Sequence, residues 1–96
     1  MTTRVYAKPT DERAFLKDIS GQGVYIAADT QPFARAYELY DRVLTCYWSK
    51  GMEQAVEIPC EVVGRRLLHN EKVPSGIKVK VLRSEYALMR ALTDEA

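Results

Sequence analysis

The chain has 96 residues, 47% apolar and 28% charged, which is the make-up of an ordinary globular protein and not of a disordered one. That length holds a single domain, residues 1–96. Fourteen basic against 13 acidic side chains leave a formal charge of +1. Such a balance argues against broad binding to DNA, RNA or anionic lipid, which needs Lys and Arg in excess on one face.

In chain order, Arg4–Lys8 reads as a short strand that pairs with a first full strand over Phe15–Ile19, reached through a turn at Pro9-Thr10-Asp11. Ser20-Gly21-Gln22-Gly23 breaks that run, and Val24–Ala28 resumes it with β-branched and aromatic residues, predicting a hairpin. Asp29–Asp41 changes character, with a helical turn starting near Pro32. Asp29 or Thr30 suits an N-cap, and Phe33, Ala36, Tyr37 and Tyr40 fall at i, i+3, i+4 and i+7, one face of a short helical turn. That face either covers an open end of the sheet or meets a protein partner, through Phe33, Tyr37 and Tyr40.

Arg42–Ser49 is a strong strand with Val43, Thr45 and Tyr47 on one face and Leu44, Cys46 and Trp48 on the other. Lys50-Gly51 turns the chain into Ala55–Gly64, where Val56, Ile58, Cys60 and Val62 share a face. Pro59 removes a backbone donor inside that run and predicts an edge or a bulge there. A long loop over Arg65–Ser75 precedes Gly76–Leu82, whose Ile77, Val79 and Val81 alternate with Lys78 and Lys80. At Ser84 the period changes from two to 3.6, with Ser84 as N-cap and Leu88, Met89 and Leu92 as an apolar stripe. A C-terminal helix over 84–93 therefore closes an all-β fold of about five or six antiparallel strands, a small barrel at this length.

Nothing in the residues supports an enzyme. His69 is the sole histidine, so a catalytic triad would rest on it alone. Cys46 and Cys60 lack the paired spacing of a metal site, and neither a cofactor nor a metal is expected. Both cysteines sit in apolar, strand-like surroundings and read as buried thiols, with a cross-strand disulfide as the alternative. No apolar leader or run of membrane-spanning length is present, so the expected location is the cytoplasm, without membrane insertion.

Asp18-Ile19-Ser20-Gly21-Gln22-Gly23-Val24-Tyr25-Ile26 matches D-x-S-x-x-G followed by alternating apolar residues. This segment resembles the second signature of PilZ domains, small bacterial β-barrels that act as receptors for cyclic di-GMP. The strand order that follows, with its closing helix, is similar to the PilZ order over about residues 4–92. The resemblance implies a regulatory module without catalysis, with cyclic di-GMP as ligand and Asp18, Ser20 and Gly23 as binding residues. An Asp carboxylate accepts from a guanine edge, a Ser hydroxyl donates to phosphate, and Gly admits the backbone closely. PilZ receptors also carry R-x-x-x-R ahead of the first strand. Here Arg4 stands for the second arginine, and the first would precede Met1. Arg4-Val5-Tyr6-Ala7-Lys8 offers lysine instead, without the bidentate fork. Two expectations follow from the resemblance. One is weak dinucleotide binding through Arg4, Asp18, Ser20 and Gly23. The other is an adaptor that acts through protein contacts, as in motility or type IV pilus control.

Overall fold

The computed structural model describes residues 3–27, 36–67 and 74–85. The elements are β1 (Thr3–Tyr6), α1 (Glu12–Ser20), β2 (Val24–Ala27), β3 (Arg42–Tyr47), β4 (Val56–Arg66) and β5 (Gly76–Val81), followed by a single 3-10 turn at Arg83–Glu85. The strands form one five-stranded sheet in the order β1-β3-β4-β5-β2. It curls until residues of both edge strands, Tyr6 of β1 and Val24–Ala27 of β2, line one cleft of about 450 Å³. The protein is therefore mostly β, a half-barrel with one short helix among the described residues.

The alternation read from β3, β4 and β5 holds. Val43, Thr45, Tyr47, Ile58, Cys60, Val62, Ile77, Val79 and Val81 are all buried, and the registers Val43↔Cys60 and Thr45↔Ile58 place them on one face. Each strand thus presents one apolar side, and the curled sheet turns these sides together. Both cysteines are free, buried thiols, Cys60 in this core and Cys46 on the other face of β3.

Phe15–Ile19 is helical, which corrects the strand expected there and, with it, the hairpin. Asp11 caps α1 by accepting from the Ala14 N–H at 3.1 Å, and Glu12 lies in the first turn, where a carboxylate suits the positive end of the helix. Phe15, Leu16 and Ile19 are the buried residues of α1. Their i, i+1, i+4 spacing is a helical stripe and cannot be one face of a strand. Phe15 packs edge-on against Tyr47, with ring centroids 5.0 Å apart.

A second correction concerns pairing. β1 does not pair with a neighbouring strand in sequence. It runs parallel to β3, with Tyr6 opposite Cys46, while the remaining pairs are antiparallel. A third concerns Pro59, which pairs with Leu44 inside the sheet. Its carbonyl accepts from the Leu82 N–H at 3.0 Å, so its donor-less nitrogen faces the same side, where β5 has ended. The bulge lies further on, between Val62 and Gly64. That extra residue re-aims the chain and sets Arg65 opposite the buried Ile77. The Arg65 guanidinium then donates through Nη1 to the Tyr37 carbonyl. The helix expected over 84–93 lies outside the described residues from Tyr86 onward, as do Phe33 and His69.

Candidate functional site

The signature-like turn connects α1 to β2. Ser20 ends the helix, and its hydroxyl contacts the carbonyls of Leu16 at 2.9 Å and Lys17 at 3.1 Å. The Asp18 carbonyl accepts from the N–H groups of Gly21 at 3.1 Å and Gly23 at 2.7 Å. The bonds to Lys17 and Asp18 cap carbonyls of the last turn, which a helix end leaves without partners. Gly23 has a positive φ of 103°, and a Cβ there would lie 3.0 Å from the Val79 carbonyl oxygen. Glycine is thus demanded by the backbone itself. The half-buried Asp18 has no hydrogen bond to its carboxylate among the described residues.

Arg4 is placed elsewhere. The turn adjoins the β2 edge of the sheet, whereas Arg4 lies on β1 at the other edge. Arg4 Nε donates to Glu57 Oε2 at 2.7 Å, and this hydrogen bond, followed by the charge of Glu57, raises the arginine pKa. The Cys46 Sγ lies 3.8 Å from the same carboxylate oxygen. Burial, then the Glu57 charge, pushes the Cys46 thiol up and keeps it protonated. Together these groups line a pocket of about 330 Å³ with Tyr6, Trp48, Glu53, Gln54 and Ala55. Tyr6 is 64% and Trp48 62% exposed. Tyr6 stands opposite Cys46 in the parallel register, and Trp48 follows two positions on, a diagonal neighbour within aromatic reach.

The tyrosine face divides. Tyr37 is 8% exposed and belongs to the core, whereas Tyr40 is 71% exposed. Tyr40 takes a positive φ of 71°, and its N–H donates to the Val62 carbonyl at 2.7 Å. A helical turn running through Tyr40 is therefore not formed, and Tyr37 and Tyr40 do not share one face. Burial, then the nearby Asp41, raises the Tyr37 hydroxyl pKa.

The residues missed from sequence are Tyr6, Trp48, Glu53 and Glu57. Trp48 stood on the strand face opposite Val43, Thr45 and Tyr47, and Tyr6 lay within the short first strand, but their meeting depends on a β1–β3 pairing that no local pattern announces. No family model and no curated protein matches this chain. No helix among the described residues is long and apolar enough to cross a membrane.

Proposed function

We propose that this chain is a small PilZ-like regulatory binding module that acts by protein contacts. The observation that carries this reading is the pair of exposed aromatics, Tyr6 and Trp48, standing over a concave pocket at the rim of the sheet. Large aromatic side chains set beside charged groups are the anchors on which protein interfaces concentrate their binding energy. The signature-like turn supports the same reading from the other direction, because its Ser20 hydroxyl and its Gly21 and Gly23 N–H groups are engaged within the chain.

Weak binding of cyclic di-GMP is the second reading, and the Asp18 carboxylate favours it, being free to accept from a guanine edge. A titration with the dinucleotide, followed by backbone amide shifts, separates the two. The protein-contact reading expects no saturable shift at Ser20 to Gly23 at millimolar ligand. It also expects a captured partner to be lost in Trp48→Ala at unchanged melting temperature. Saturable shifts in that turn that disappear in Arg4→Ala would establish the receptor instead.

A further inference from the structure

We infer that the pocket between Tyr6 and Trp48 takes the basic side chain, arginine or lysine, of a protein partner. This rests on the protein-contact reading and names the chemistry of its central contact. Two exposed aromatic side chains line the pocket, and aromatic faces attract cations through their quadrupole. Its ionisable lining comprises the carboxylates of Glu53 and Glu57 against the guanidinium of Arg4, so acidic charge is in excess. The buried Cys46 lies under these groups as a protonated thiol and adds no charge. Glu57 uses one oxygen for both Arg4 and Cys46. Its other oxygen has no partner among the described residues and can accept from an incoming guanidinium or ammonium. An anionic partner would find one cation here, already engaged by Glu57, and two carboxylates opposing it.

The test uses Trp48, the single tryptophan of the chain, as its own reporter. Its emission is followed while the protein is titrated with the blocked tripeptide Gly-Arg-Gly, with the blocked Gly-Glu-Gly, and with methylguanidinium as the free cation. The expected result is a saturable change with Gly-Arg-Gly in the millimolar range, a weaker one with methylguanidinium, and none with Gly-Glu-Gly. Tyr6→Leu should weaken the Gly-Arg-Gly affinity about two- to fivefold, the share of one exposed cation–π contact. Glu53→Gln should weaken it by a similar factor. Arg4→Ala should tighten it, because a like charge leaves the pocket. That sign is opposite to the one expected for a dinucleotide, which needs Arg4. Equal or tighter binding of Gly-Glu-Gly, or weakening in Arg4→Ala with an unchanged melting temperature, would overturn the assignment. So would no saturable change with either cation at tens of millimolar. That result, with partner capture still dependent on Trp48, would leave the protein-contact reading standing. Dinucleotide shifts at Ser20 to Gly23 would overturn that reading independently of the cation result.

Discussion

Replacing Gly23 by alanine asks whether the glycine of the signature-like turn serves the fold or a ligand, and Gly51 supplies the control. Both glycines have positive φ, 103° at Gly23 and 82° at Gly51. An alanine at either position meets the left-handed penalty, about 1–2 kcal/mol for an L-residue. At Gly51 nothing lies within 4 Å of the added Cβ, so the penalty stands alone. At Gly23 the Cβ would also press on the Val79 carbonyl at 3.0 Å and the Lys78 side chain at 3.1 Å. The lysine can swing away, but the carbonyl belongs to β5, which is paired on both sides, and cannot retreat without distorting the ladder. Gly23→Ala should therefore cost about 2–4 kcal/mol and Gly51→Ala about half that. Urea denaturation followed by far-UV circular dichroism measures both. At this chain length each kcal/mol moves the melting temperature by roughly 4–8 °C. A Gly23→Ala cost no greater than that of Gly51→Ala would refute the reasoning, since it would mean the turn has the open surroundings a ligand-approach glycine needs.

Tyr37→Ala should destabilise by about 3–5 kcal/mol as a large core truncation, whereas Tyr40→Gly should stabilise by about 0.5–1 kcal/mol by relieving a positive φ. Thermal melts of the two variants check the division of that segment into a core residue and a strained surface one. Burial pushes the Cys60 thiol from an ordinary 9.0 to about 11. Between these values the unfolded chain has released a proton that the folded chain still holds, so stability is full below pH 9 and falls by about 2–3 kcal/mol as pH rises to about 11. Urea midpoints across that window should show the slope in the native sequence and a shallower one in Cys60→Ala, where the raised Cys46 thiol and Tyr37 and Tyr47 hydroxyls keep the remainder. Arg65→Ala should cost about 1–2 kcal/mol, because the buried-side carbonyl of Tyr37 loses a charged donor. A melting temperature unchanged in that variant would show that the bulge before Gly64 does not serve this bond.

The middle of the chain was legible because burial of one sheet face imposes a period of two. Arg42–Tyr47, Val56–Val62 and Gly76–Val81 each satisfy it, and a shift of one residue would turn every apolar side chain to water. Phe15–Ile19 was misread although its signals were local. Phe15 and Leu16 are adjacent, which a one-sided strand does not allow, and Asp11 with Glu12 marks a helix start. The partner of β1 was not legible in principle, because its parallel pairing with β3, across which Arg4 reaches Glu57 of β4, depends on where the whole sheet closes. The bulge was sought at Pro59, where a donor is missing, but that missing donor points past the end of β5 and needs no relief. The candidate pocket follows from the same pairing: Trp48 was placed on a strand face, but that Tyr6 of β1 would converge on it was set by where the sheet closes.

The D-x-S-x-x-G segment shows how one residue pattern can answer two physical demands. At the end of α1 the carbonyls of Lys17 and Asp18 fall in the last turn, where a helix leaves carbonyls without partners, and Ser20, Gly21 and Gly23 supply donors to them. A phosphate in this turn would want those same donors. Releasing two or three such bonds costs about 0.5–1.5 kcal/mol each, together on the order of one to three decades of affinity. The carboxylate of Asp18 is spared that conflict because it is the backbone carbonyl of the residue, not its side chain, that caps the helix. A guanine edge could therefore be met here at little cost, but a phosphate could not, and a cyclic dinucleotide presents both. In the Tyr6–Trp48 pocket the competition is a single like charge, Arg4, held by one oxygen of Glu57. Both aromatic side chains are already exposed, and the second Glu57 oxygen has no partner among the described residues. The fold thus engages the donors of the signature-like turn in its own hydrogen bonds and leaves the exposed aromatics of the proposed contact on the β1 side of the sheet.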